Sequence, residues 1–170
     1  MRRFFGTLSP VAPSADDVAW VAEVCTDGEL ALWRRLPRYD RRHSLQVARD
    51  VEALLAGTEY AGDPRWIEAA LLHDVGKLDA GLGVLGRVGA TLAGAAAGHD
   101  MADAWSGKRG VSRKVGLYLR HPELGADRIR MAGGSPEAAT WADCHQDPQR
   151  YATCGLPPVV VEALAAADDD

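Results

Sequence analysis

Asp63-Pro64-Arg65-Trp66-Ile67-Glu68-Ala69-Ala70-Leu71-Leu72-His73-Asp74-Val75-Gly76-Lys77 starts as a helix and ends as chemistry. Asp63 before Pro64 is a cap followed by proline in the first turn. Ile67, Ala70 and Leu71 then recur at helical spacing. Gly76 is expected to stop the helix. A histidine and an aspartate side by side at the end of an apolar stretch are awkward for a core. Together they offer an imidazole nitrogen and a carboxylate oxygen, which borderline and hard metals both accept. On a helix the two side chains project about 100° apart. They reach one ion placed at the helix end, or Asp74 bridges two ions with its two oxygens.

Outward from this run, proline and glycine divide the chain into helical segments. Asp16-Asp17 is a cap for a first helix to about Glu23, and Asp27 for a second that Pro37 ends. Asp40 is a cap for a third, on which His43, Val47, Val51 and Leu54 share one face. After Lys77, a helix is expected from about Ser112 to Arg120, broken at His121-Pro122. Another ends at Gly133-Gly134. Ser135-Pro136-Glu137 opens one that leads to about His145. Residues 147–158 read as loop, and Pro157-Pro158 open a last helix carrying Asp168. No run alternates as a strand, no repeat has a fixed period, and no linker interrupts the chain. The expected fold is all-α, a single compact helical bundle with a metal site in its centre. Residues 1–39 are expected to be an N-terminal helical extension packed on the core, and residues 40–170 the metal-binding domain.

The 170 residues are 47% hydrophobic, enough for one substantial core. A net charge of −5 argues against a basic nucleic-acid-binding surface. Cys25, Cys144 and Cys154 are odd in number and lack C-x-x-C spacing, so they imply neither a disulfide framework nor a zinc-thiolate site. The apolar part of Arg2-Arg3-Phe4-Phe5 is too short for a signal peptide, and no apolar run reaches the eighteen or so residues of a membrane span. A cytoplasmic protein is expected.

Four of the five histidines stand where ligands make sense. His43 lies on the apolar face of its helix, His73 in the doublet, His121 at a helix break and His145 at a helix end. Asp168 closes the last helix. Taken singly, each has a plainer reading: His43 a hydrogen-bonded core residue, His121 a helix neighbour, Asp168 a solvated tail residue beside Asp169 and Asp170. As a set, His43, His73, Asp74, His121, His145 and Asp168 form an oxygen–nitrogen ligand field without thiolate. That field favours catalytic iron, manganese, cobalt or zinc over a closed structural zinc site.

His43, the doublet His73-Asp74 with Gly76-Lys77, and the aspartate in Ala166-Ala167-Asp168 resemble the H…HD…D signature of the HD-domain metal-dependent phosphohydrolases. His121 and His145, between the doublet and the last aspartate, make the chain similar to the two-metal branch. His121-Pro122-Glu123-Leu124-Gly125-Ala126 looks like that branch's third-histidine segment. The Gly-Tyr-Pro hallmark of HD-GYP phosphodiesterases is absent, and Cys144-His145 stands where those proteins carry paired histidines. The resemblance implies an HD-like helical domain holding two divalent ions, with Asp74 bridging. It implies hydrolysis of a small phosphorylated, nucleotide-like substrate by a metal-activated water. Asp74 and Lys77 would be catalytic, and Lys77 and Arg120 would contact the phosphoryl group. Lys77 also reads as a complement to a helix dipole, and Arg120 as a surface arginine. The same scaffold hosts mixed-valent di-iron oxygenases and non-catalytic modules with a vestigial metal site, which are the alternatives.

Residues 81–98 are apolar or glycine apart from Arg87 and Thr91. Gly86, Ala90, Gly94 and Gly98 recur every four residues and would form a smooth ridge for close packing. The ridge is read first as packing on the domain, then as a homodimer contact or a lid. His99 is the histidine left outside the set. The five tryptophans read as core anchors, Trp105 excepted, which falls in a loop-like stretch.

Overall fold

A computed structural model describes residues 12–97 and 100–168. Gly98, His99, Asp169 and Asp170 lie outside the described residues, as does the start of the expected N-terminal extension. Among the described residues every regular element is helical. α1 (Ala15–Val24) and α2 (Asp27–Arg34) each open with a capping box. Ser14 and Thr26 are the caps, and Asp17 and Glu29 return a bond to the cap backbone from the third helical position. The acids read as caps in the sequence are therefore first-turn residues, which complement the helix dipole instead.

α3 (Arg38–Leu55) begins two residues before Asp40, with Pro37 at its cap position and no side-chain bond there. Asp40 sits inside the first turn and is buried. α4 (Pro64–Leu72) starts as expected, the Asp63 carboxylate accepting from the Arg65 amide. A short α5 (Lys77–Ala80) leads to α6 (Val84–Ala97) and α7 (Asp100–Ser106). α8 (Gly110–Leu119), α9 (His121–Met131), α10 (Pro136–Cys144) and α11 (Pro158–Asp168) complete the chain, with one 3-10 turn at Pro148–Arg150. Ser135 caps α10 by accepting from the Ala138 amide.

α4 is the centre of the bundle. Its Ala69, Ala70, Leu71 and Leu72 are fully buried, and it packs against α1, α2, α3, α10 and α11. Trp33, Val47, Val51, Ile129, Trp141 and Leu164 close the core around it. Burial of each such leucine or isoleucine contributes about 1.5–3 kcal/mol. The Trp33 indole N–H donates to the buried Ser44 hydroxyl at 2.9 Å, joining α2 to α3.

α6, α7 and α8 form a satellite layer, which meets the rest of the fold mainly through α8 against α5 and α9 and also through an ion pair from Arg87 on α6 to Asp40 on α3. The small-residue ridge of α6 faces inward. Ala90 is fully buried, and a Cβ at Gly94 would lie 2.4 Å from the Leu119 side chain. Ala90 and Gly94 thus pack within the chain, as first read, while Gly86 is exposed. Trp105, expected in a loop, lies in the last turn of α7 and is half-buried. Among the described residues no helix is long and apolar enough to cross a membrane.

Candidate metal centre

Three histidines repeat one local device. His73 follows the last residue of α4, His145 the last residue of α10, and His121 comes two residues after the end of α8. Each turns its ring back onto a carbonyl of the turn before it. Nδ1 of His73 lies 2.8 Å from the Ala70 carbonyl, Nδ1 of His145 2.8 Å from Ala142, and Nδ1 of His121 2.7 Å from Tyr118. A carbonyl only accepts, so each Nδ1 carries a proton and donates it. These carbonyls belong to last turns, where helical backbone lacks its own donors. The bond fixes both tautomer and ring direction, leaving Nε2 to face inward, as in histidines that bind metals.

The inward atoms meet on Asp74. His121 Nε2 is 3.5 Å and His145 Nε2 3.6 Å from Asp74 Oδ1. His73 Nε2 is 3.5 Å from Asp74 Oδ2 and 3.3 Å from Asp168 Oδ1. His43, from the inward face of α3, places Nε2 3.0 Å from the same Asp168 oxygen. The two oxygens of Asp74 therefore look toward two different groups. One faces His121 and His145; the other faces His73, beyond which lie Asp168 and His43. The structure brings all six sequence-predicted residues together, Asp168 among them.

The arrangement is short of donors. Nε2 of His73, His121 and His145 and Oδ1 of Asp74 are buried without a hydrogen-bond partner. Polar atoms crowded together without partners in a dry interior are costly, each on the order of 1–3 kcal/mol. A cation between them removes that cost. α4, α10 and α11 also point their C-terminal ends here, and the negative end of each helix dipole favours a cation. The donor set fits. His73, Asp74 and His145 present ligand atoms within 4.8 Å of one another, as do His43, His73 and Asp168. The buried His73–Asp74–His145 cluster could hold a metal ion.

The charges agree. Burial disfavours ionised Asp74, yet Lys77 and His73 hold its carboxyl well below the usual range. Burial likewise opposes ionised Asp168, and His73 and His43 outweigh it, holding Asp168 far below its ordinary value. Burial lowers His121 to about 4, which leaves its Nε2 bare at neutral pH. For His73 burial is overcome by Asp168 and Asp74, and its pKa rises to about 9. A proton there does part of what a metal cation would do better.

Gly76 has a different task from the one its sequence position suggests. Its φ of −65° is ordinary helical backbone, so it is no left-handed stop. A Cβ there would stand 1.9 Å from the His121 carbonyl oxygen and 2.6 Å from the Gly125 nitrogen. Its lack of a side chain lets the His73-Asp74 turn lie against the start of α9, which brings Asp74 to His121.

Lys77 forms an ion pair with Asp74 Oδ2 and is largely buried. Burial works against its charge, and Asp74 more than restores it, so Lys77 stays an ammonium. Arg120 is placed differently. Its guanidinium pairs with Asp103 at 3.1 Å and Glu123 at 2.9 Å, both exposed, and it does not join the cluster.

Some contributors went unread in the sequence. Tyr118 stacks on the His121 ring with centroids 5.3 Å apart. The Tyr151 hydroxyl donates to the His145 carbonyl at 2.6 Å. Asp40 accepts a two-pronged bond from Arg87. The spacing of Asp40 three residues before His43, on one helix face, was the available signal.

The centre has an open side. Side-chain exposure is 24% for His43, 18% for Asp168 and 15% for Lys77, against 2% for Asp74 and 0% for His145. Access therefore lies over His43, Asp168 and Lys77. The chain matches no family model, no curated protein and no solved structure.

Proposed function

We propose that this chain is a metal-dependent phosphohydrolase of the HD type, using two divalent transition-metal ions on a small phosphorylated substrate. One observation carries the reading: imidazole Nε2 atoms, fixed in direction by backbone carbonyls, converge on both oxygens of a single buried aspartate. His43, His73 and Asp168 would hold one ion and His121 and His145 the other, with Asp74 between them. Iron, manganese, cobalt and zinc all suit these ligands.

When bound, the ions supply Lewis acidity and a water whose pKa falls to about 7. The chain supplies orientation. Nδ1–H bonds to the carbonyls of Ala70, Tyr118 and Ala142 keep three rings aimed inward through Nε2. Lys77 keeps Asp74 ionised and sets an ammonium at the open side, where phosphoryl charge would sit. The closed side excludes bulk water.

The test is metal analysis of the purified chain with an assay of p-nitrophenyl phosphate under argon. Stoichiometric metal and phosphate release, both lost in His73→Ala, are expected. A chain that takes up no transition metal, or one whose turnover demands dioxygen, would overturn the reading.

A further inference from the structure

We propose that Arg87 is a second substrate-binding cation of this centre. Its guanidinium is held by Asp40 beside the open side and is transferred to a terminal phosphoryl group when one arrives. The inference rests on the metal-centre reading above and narrows its substrate class to phosphomonoesters and polyphosphate ends.

Arg87 Nη1 and Nη2 donate to the two oxygens of Asp40 at 2.7 and 2.8 Å. Both side chains are largely buried, at 11% and 5% exposure. Asp40 lies one helical turn before His43 on the same face of α3, and the pair is near enough for Arg87 to interact electrostatically with Asp74 and Asp40 with Lys77. The guanidinium also rests over the Tyr39 ring, 5.0 Å from its centroid. Arg87 is carried by α6, the helix outside the main core. That helix is entered through Gly81-Leu82-Gly83, with Gly81 at φ +55°.

Charge decides what the pocket accepts. With the imidazoles neutral, as ligands to metal are, Asp40, Asp74 and Asp168 against Lys77 and Arg87 leave a net charge of −1. One divalent ion makes it +1 and two make it +3, so an anion is favoured at either count. Two cations of the chain, Lys77 and Arg87, suit a dianion better than a diester. A guanidinium fork pairs with two phosphoryl oxygens in the way it pairs with a carboxylate, and Lys77 acts as a point charge. Asp40 thus occupies Arg87 in the way that a phosphoryl group would.

The experiment titrates inorganic phosphate into the manganese-loaded full chain by calorimetry, with metal content measured on each sample. Arg87→Met is expected to weaken phosphate about tenfold while keeping its metal. Asp40→Asn, which releases the guanidinium, is expected to tighten it. The two changes together should bind like Arg87→Met alone, a coupling that neighbouring groups show and independent ones do not. Dimethyl phosphate, a monoanion, should bind more weakly and ignore Arg87. Phosphate affinity unchanged in Arg87→Met at full metal content overturns this proposal alone. So does an Asp40→Asn that weakens binding as Arg87→Met does, because the pair is then only a brace. If Arg87→Met does not fold, Arg87→Lys, which keeps the charge and loses the fork, is read by the same outcomes. A chain that takes up no manganese overturns the metal-centre reading, and this one with it.

Discussion

α4 and α10 run side by side, and each buries polar groups at both ends. At the C-terminal ends, His73 and His145 face each other with ring centroids 5.2 Å apart around Asp74. Toward the N-terminal ends, Glu68 accepts from the Ser135 amide at 2.7 Å and meets the carboxyl of Glu29. Glu29 in turn accepts from the Thr26 amide and hydroxyl at 2.8 and 2.9 Å. Both clusters are buried and acidic, yet they settle their charge differently. Burial and the neighbouring Glu29 push Glu68 up to about 7, so a proton on Glu68 would supply the donor that the buried Glu29 Oε1 lacks, and backbone donors serve the remaining oxygens. At the other end the buried acceptors outnumber their donors, and backbone bonds hold the imidazoles so that they cannot turn away. Buried charge is thus a poor mark of a metal site. Acceptors locked onto a common point are a better one.

The contrast breaks most sharply at Asp74. Asp74→Asn should cost on the order of 10³-fold in phosphate release and abolish metal uptake, as read by elemental analysis. A chelator should lower the melting temperature of the parent chain and leave this variant unmoved.

The acid end should respond to pH instead. The folded pKa of Glu68 lies above its unfolded value, so its contribution is complete below about 4.5 and is lost as pH rises through about 7. Denaturant unfolding of the parent chain should show a loss of up to about 3 kcal/mol between mildly acidic and mildly alkaline pH. Glu68→Gln, which carries no proton to lose, should flatten that dependence and keep its metal.

Gly76→Ala attacks the metal end without touching a ligand. With 1.9 Å between the new Cβ and the His121 carbonyl oxygen, the turn must shift. A loss of about 2 kcal/mol is expected, with weakened metal retention on dialysis. The smallest effect belongs to Arg120→Ala. Its pairs are exposed, so stability should move by less than about 0.5 kcal/mol, and turnover of p-nitrophenyl phosphate should stay within about twofold. A larger fall in turnover would restore Arg120 to the phosphate.

The helices were legible because caps and breakers act locally. Asp63-Pro64 and Ser135-Pro136 start their helices where the sequence places them. Ser14 and Thr26 displaced Asp16 and Asp27 because the capping box needs its acid at the third position, a detail the charge pattern alone hides. The six polar residues were legible by type and spacing. The partners that join distant segments were not: Asp40 with Arg87 spans 47 positions, and Glu68 with Ser135 spans 67. Nothing in either local sequence announces the other. Gly76 was read as punctuation because a glycine's neighbours in space leave no trace beside it in the chain.

The bonds from Nδ1 to Ala70, Tyr118 and Ala142 have an evolutionary consequence. Metal-binding imidazoles are commonly aligned by a carboxylate, whose loss is a visible substitution. Here the aligning group is main chain, which every amino acid supplies. The hydrogen bond therefore places no demand on the side chains at 70, 118 and 142, which answer only to packing: Ala70 and Ala142 are fully buried and Tyr118 stacks on His121. The outer support of this centre is inherited as the lengths of helices rather than as a set of side chains.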